Sequence, residues 1–410
     1  MIKFFHKQRI NIVTLIFLFS VILPYPPFLF GLYGEVATLV ILAIILLALS
    51  VAGNAKIDIS ALYIMFALFT LLLISLTRDN ARVPKDFLEL SRPIMWFLTY
   101  SVFYSLCWIV EPNKVITKVF YFLNIIAVWG IVEVYLPDQL FFHKLYKLDA
   151  PVYWNKAISS FIAPYSFAAV MGVGFVISYI RFRTGALPFL RGFFSVILFL
   201  LAIFLSQSKS GILGVCIVLI IYEVRHPNYI SFILMMAVFA VIYYMLVVLQ
   251  LLPYVSSFVL IMWNAFEEGG LSALPGASPS VGNRVEQLGD VLAKSGLLPV
   301  FGQGIGKGYL YLESIYSLWL FRYGILGVAI LALICAHCIV ICRKLSRAQG
   351  TTNLENSLIN AFPFIILYFF VVSISSNVID QFRVALVYVS FVAILRASYL
   401  RHKIKHLNTL

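Results

Sequence analysis

Charge is what this sequence has least of. Only 11% of its 410 residues are Asp, Glu, Lys or Arg, against roughly a quarter in an ordinary soluble domain. That scarcity excludes a water-soluble globular chain, and the 62% of hydrophobic residues points to a polytopic membrane protein. Acid is scarcer than base, at 17 Asp and Glu against 30 Lys and Arg, and no D-x-D pair occurs anywhere. The six histidines avoid the two long polar intervals, except for His143 near the start of the smaller one. Both absences speak against a metal-assisted site in those intervals. The five cysteines, Cys107, Cys216, Cys335, Cys338 and Cys342, all fall in apolar runs or at their edges, which excludes an exposed disulfide framework. "CAHC" at 335–338 has the spacing of metal ligands but no second ligand pair, so it reads as small residues packed inside a helix.

What fills the chain instead is apolar runs long enough to cross about 30 Å of hydrocarbon at about 20 residues each. Twelve can be marked, at 10–30, 34–52, 58–76, 93–110, 115–136, 159–181, 189–206, 210–224, 229–252, 314–341, 355–373 and 383–399. The fold class expected is therefore all-α, one transmembrane domain over 1–410. Pro24, Pro26 and Pro27 bend or end the first run early. The basic stretch Met1 to Arg9 precedes a run with no small-residue cleavage site after it, so that run reads as a retained helix.

Two polar intervals exceed an ordinary connection, 137–158 and 253–313. In the second, "EEGGLSALPGASPS" is rich in Gly, Pro and Ser and reads as irregular, while 281–295 has helical periodicity. At 100° per residue Val281, Val285, Leu288 and Leu292 form one stripe, with Glu286, Asp290 and Lys294 opposite and Arg284 at the stripe's edge. Such a helix is expected to lie at a membrane interface with Arg284 at headgroup depth.

Lys and Arg set the orientation, because short cytoplasmic loops retain positive charge. With both termini cytoplasmic, 17 of the 30 basic residues fall inside against four acids, an excess equal to the whole net charge of +13. A basic balance of this origin says nothing of nucleic acid, and no nucleic-acid partner is expected. The cations left on the far side are the informative ones: Arg78, Arg82, Lys85, Arg92, Lys156, Lys209, Arg284, Lys307, Arg322 and Arg383 among them. If they converge, they form a cationic site suited to a lipid diphosphate; singly, each would snorkel to a headgroup or pair with an acid. Lys209, in "SQSKSG", has almost no loop to solvate it, and Arg322, about eight residues into the tenth run, calls for Glu133 or Asp380 as a partner.

Fixed cations can neutralise a departing diphosphate without a metal, leaving the need for a base. Glu313 stands just before the tenth run, where partial desolvation would raise its pKa toward a useful range; the other reading is an acidic helix cap. Asp380 and Arg383, in "SSNVIDQFR", are placed to face the same cavity. "GQGIGKG" at 302–308 lacks P-loop spacing and reads as a flexible turn.

Five segments in this order carry a family resemblance: "DFLELSRPIMWFL" at 86–98, "KAISSFIAPYSFAA" at 156–169, "SQSKSG" at 206–211, "GNRVEQL" at 282–288 and "GQGIGKGYLYLESIYSLWLFRYGILG" at 302–327. Together they resemble the Wzy-type O-antigen and capsule polymerases, in the superfamily that also holds the O-antigen ligases. Ser159 and Tyr165 replace the Gly and Asn common there, and Lys209 stands where the family often has Arg. A His typical of the ligases is replaced by Glu313 and Ser314, which favours polymerase. The resemblance implies a bacterial inner-membrane glycosyltransferase with its large periplasmic loop between helices 9 and 10. It would move a growing glycan from undecaprenyl diphosphate onto the non-reducing sugar of a lipid-linked repeat unit, with no cofactor and no metal. It implies Glu313 or Asp380 as base and Arg284, Lys209, Arg92, Arg383 and Arg322 as diphosphate contacts. Tyr309, Tyr311 and Tyr316 would stack on sugar, or else sit in an interfacial aromatic belt. Membrane lipid and a chain-length regulator are the further partners it implies. A ligase-like glycan transferase and a lipid-linked oligosaccharide flippase are the rival functions.

Overall fold

A computed structural model describes residues 12–17, 20, 21, 33–78, 89–135, 156–161, 163–227, 253–270, 273, 279–294, 300–304, 312–347 and 353–407, with isolated positions between 233 and 244. Helix dominates them and no strand occurs among them. In order the helices are α1 (Tyr33–Val51), α2 (Ile59–Arg78), α3 (Ser91–Ile109), α4 (Pro112–Tyr135), α5 (Pro164–Arg183), α6 (Phe189–Leu205), α7 (Lys209–Arg225), α8 (Pro253–Gly269), α9 (Pro279–Lys294), α10 (Ile315–Ser346), α11 (Asn353–Ser375) and α12 (Phe382–Leu407). Six of them, α2, α4, α5, α10, α11 and α12, are long and apolar enough to cross a membrane. Helix is the form that satisfies backbone donors and acceptors inside each segment when no water is at hand.

Ten of the twelve apolar runs fall on a helix; the first and ninth lie largely outside the described residues, as do Pro24, Pro26 and Pro27 and most of 137–158. Two features differ from expectation. First, α8 extends a helix from Pro253 to Gly269, taking in the Glu267–Glu268–Gly269 stretch read as irregular. Gly270, at φ +63, follows its end. Second, α10 is not continuous, because Gly324 sits at φ 64, ψ −167, a conformation that only glycine adopts without strain. The stub Ile315–Tyr323 is thereby set off from the rest of α10.

The interior is built around α5, which packs on α6, α7 and α11. Close approach explains the tight seam: a Cβ on Gly172 would lie 1.9 Å from the Tyr368 ring of α11. The Tyr368 and Tyr388 hydroxyls donate to the carbonyls of Ala168 and Ala169 at 2.8 and 2.9 Å, which satisfies two buried polar groups. Large apolar side chains point away from the protein on α1, α6 and α7, among them Leu47, Phe194 and Leu213. In a chain this apolar such faces suit lipid rather than water.

Helix ends gather in two sets. At one, Asp58 before α2 accepts from Tyr100 of α3 at 2.8 Å and from Arg396 of α12 at 3.1 Å, and His337 of α10 lies 3.4 Å from Arg396. Arg183 and Glu223 pair at 2.9 Å between α5 and α7. The "CAHC" residues lie on α10, with Cys338 buried. At the other set meet the start of α7, the end of α11, the start of α10, helix α9 and the turn before α5. This set holds the candidate site.

Candidate functional site

The segment ahead of α5 is an anchored turn. Ala157 N–H donates to the Leu205 carbonyl at the end of α6, at 2.8 Å. Ser159, at φ 54, donates its backbone N–H to the buried Glu133 carboxylate at 2.6 Å. Glu133 therefore serves this turn and is not the partner of Arg322. The turn fixes the backbone beside Lys156.

Lys209 opens α7. Gln207 at φ 52 turns the chain sharply after α6, and Ser208 caps the new helix by accepting from Gly211 N–H at 3.2 Å. The Lys209 ammonium lies 3.8 Å from the centre of the Phe258 ring on α8, a cation–π contact. It precedes the apolar run 210–224, and its pKa is lowered to about 8 by burial and then by the charges of Arg284 and Lys156. Burial also lowers Lys156. Three cations from three distant segments thus share one neighbourhood, where an anion would relieve their repulsion.

Helix α9 carries the third cation. Val285, Leu288 and Leu292 are 57%, 38% and 45% exposed, so the apolar stripe faces outward, while Val291 is buried. Arg284 and Gln287 lie on the inward side with Val291. Arg284 reaches toward the end of α11 and the start of α10. Its Nε and Nη2 donate to the Ser375 carbonyl at 3.3 and 2.9 Å, and Nη2 stands 2.9 Å from Glu313 Oε2. Glu286 and Asp290 are exposed, as expected; the Lys294 side chain lies outside the described residues.

Glu313 completes this group. Its backbone N–H donates to Gln287 Oε1 at 3.0 Å, which ties it to α9 a second time. Ser314, the next residue, caps α10 by accepting from Tyr316 N–H at 3.3 Å, so the cap belongs to Ser314 rather than to Glu313. Ser375 joins the start of α7 through a hydroxyl contact with Ser210. The chain of contacts from Lys209 through Ser210, Ser375 and Arg284 to Glu313 is unbroken. Arg284 and Glu313 side chains keep 19% and 36% of their surface open, enough for a ligand to compete for them.

The remaining charged candidates form a second group. Arg322, 0% exposed, pairs with Asp380 and stands 2.9 Å from Glu89; Arg92 pairs with Glu89 and lies 3.9 Å from Asp380. Arg383 is buried beside them in sequence, its guanidinium over the Phe382 ring. The structure thus brings Arg284, Lys209 and Glu313 together and places Arg92, Arg322 and Asp380 in a closed ionic cluster of their own. Tyr316 donates to the Phe370 carbonyl at 2.8 Å, and Tyr309 and Tyr311 lie outside the described residues.

Sequence reasoning named Lys156 among the stranded cations without assigning it to the site, and missed Gln287, the Ser375 carbonyl and Phe258 as neighbours of the site and Glu89 as a partner in the buried group. Lys156 carried a signal, being a basic residue stranded away from the topogenic ones. Glu89 carried another, three residues before Arg92 at a helix start. A backbone carbonyl such as that of Ser375 carries none.

"GQG" at 302–304 is no free turn. Gln303 N–H donates to the Phe321 carbonyl at 2.7 Å, and a Cβ on Gly302 would meet the Arg322 carbonyl oxygen at 1.7 Å. The segment lies against the break in α10. Among known proteins, no family model and no curated sequence matches this chain.

Proposed function

We propose that the protein is a polysaccharide polymerase of the inner membrane, with both termini in the cytoplasm, twelve spans, and the Arg284–Glu313 site at the periplasmic face. The orientation rests on the excess of basic residues at the opposite helix ends, where Arg183, Arg225, Arg343 and Arg401 gather. The observation that carries the reading is the convergence of Lys209, Arg284 and Glu313, with Lys156 beside them, from four separated segments. The guanidinium fork of Arg284, with two lysine ammonium groups near it, suits the oxygens of a diphosphate. The outward apolar faces of α8 and α9, with Trp263 and Val285, would keep the carrier's hydrocarbon tail in lipid while its head enters the site.

In the resting site Glu313 is engaged by Arg284 at 2.9 Å. A donor diphosphate takes over the guanidinium, whose planar fork suits two phosphate oxygens, and so frees the carboxylate. The acceptor hydroxyl oxygen then bonds to the anomeric carbon, its proton passing to Glu313. The bond from that carbon to the diphosphate breaks with its electron pair, and the charge left on the carrier is neutralised by Arg284 and Lys209. Asp380, held by Arg322, is not the base in this reading.

Purified protein incubated with lipid-linked repeat units tests this directly. A ladder of longer glycans with release of free carrier diphosphate is expected. Relocation of substrate across a vesicle without change of length would make it a flippase, and transfer only to a lipid core acceptor would make it a ligase.

A further inference from the structure

The Arg284–Glu313 contact closes a ring through the fold. Arg284 is held by the carbonyl of Ser375, the last residue of α11. In the short connection that follows, Asp380 holds Arg322. Arg322 lies near the end of the stub Ile315–Tyr323, and Glu313 stands at the stub's other end, directly before its cap Ser314. One helical stub and one interhelical connection thus share two cross-links, an open one at Glu313 and a buried one at Arg322.

Gly324 is what gives this ring consequence. A helix aimed by its own hydrogen-bond ladder would carry Glu313 wherever the rest of α10 pointed, but the ladder is broken at Gly324. The stub takes its direction from what docks it. Apolar contact supplies part of this, with Trp319 stacked on Trp96 of α3 at 5.9 Å, yet such contact tolerates sliding and rotation. Gln303 N–H adds one bond to the Phe321 carbonyl at 2.7 Å. The directional constraint is Arg322, bonded to Asp380 and 2.9 Å from Glu89 where all three side chains are buried.

We propose that Arg322 and Asp380 are positioning residues, which set the direction of the stub and thereby hold the Glu313 carboxylate in register with Arg284. The proposal rests on the reading of Glu313 as base. It also explains why the chain keeps a fully buried ion pair next to a broken helix, since misplacing a reacting group by about 1 Å can cost about a hundredfold in rate.

The experiment is steady-state elongation by full-length protein in a bilayer, with thermal stability measured alongside. Asp380→Asn is expected to lower kcat by about tenfold to a hundredfold while donor KM stays within about twofold. In a Glu313→Gln background, whose residual rate is read over long incubations, the same substitution should lower the rate no further, because the group it misplaces is already gone. Arg322→Lys, which keeps the charge and loses the fork, should recover part of the rate lost in Arg322→Ala. Unchanged kcat in Asp380→Asn, or an equal further loss in the Glu313→Gln background, would overturn the proposal. Should Asp380→Asn fail to fold, Gly324→Ala takes its place: it strains the break without touching a charge, and must show the same loss in kcat alone. An unaltered kcat there also overturns it. Normal elongation by Glu313→Gln would instead remove the base, and this inference with it.

Discussion

Two ionic groups built from the same residue types stand at the same set of helix ends, and burial separates their roles. Glu89, Arg92, Arg322 and Asp380 are all buried and pair among themselves, with Arg383 buried three residues after Asp380. In the other group Arg284 pairs with Glu313 near Lys209 and Lys156, and that pair stays partly open. A charge taken out of water must be matched inside the protein, and the first group meets that need with ion pairs among its own members. A pair that keeps part of its surface open can exchange one partner for a ligand. Arginine count alone did not distinguish them.

Removing one member of each group should break the comparison in opposite ways. Arg322→Ala leaves buried carboxylates uncompensated and is expected to cost about 3–5 kcal/mol of stability, read as a large drop in the thermal midpoint of solubilised protein. A midpoint equal to that of the unaltered protein would mean that the buried group is not structural. Arg284→Ala should leave the midpoint unmoved and lower elongation by about 10²–10³-fold, as loss of a group that stabilises developing charge does; normal polymer length would take Arg284 out of the site. Arg284→Lys should fall between, because a point charge replaces a bidentate fork.

Lys209 offers a finer test through pH. Its pKa is lowered to about 8 in the free site, and a bound diphosphate favours the charged form. Donor affinity is therefore full below that value and should weaken by about tenfold for each unit above it. Binding of a prenyl diphosphate across pH 7 to 10 would show this limb, and Lys209→Met would remove it; a flat profile in the unaltered protein would exclude Lys209 from the contact. Glu286→Ala should change least, within about 0.5 kcal/mol of stability and with normal elongation, since Glu286 is exposed on α9. A dead Glu286→Ala protein would move the base from residue 313 to residue 286.

The fold was legible to the extent that hydropathy is a local property. Apolar runs such as 210–224 and 355–373 reappear as α7 and α11 with ends shifted by one or two residues. The α9 helix was legible too, from its period, although it starts at Pro279 rather than 281. The partners of Arg284 were not, because a helical wheel identifies a stripe without saying which distant segments meet its other edge. The break in α10 was hidden because Gly324 is one small residue in an apolar run, and only its partner segment, with Gly302 under the Arg322 carbonyl, requires the unusual backbone. Arg284 and Glu313 were legible as candidates from charge placed against the topogenic pattern, whereas Arg322 and Asp380 drew attention by the same rule and landed in the other group.

By itself the sequence determined that the chain is helical and membrane-suited, where its charges are scarce, and which of them stand apart from the topogenic ones. Those follow from composition and period, which act residue by residue. Only the tertiary structure decided which stranded charges meet, since partners such as Arg284 and Ser375 lie 91 positions apart. Contact across that separation is set by packing of whole helices, and it is contact that makes one carboxylate a counter-ion and another a candidate base.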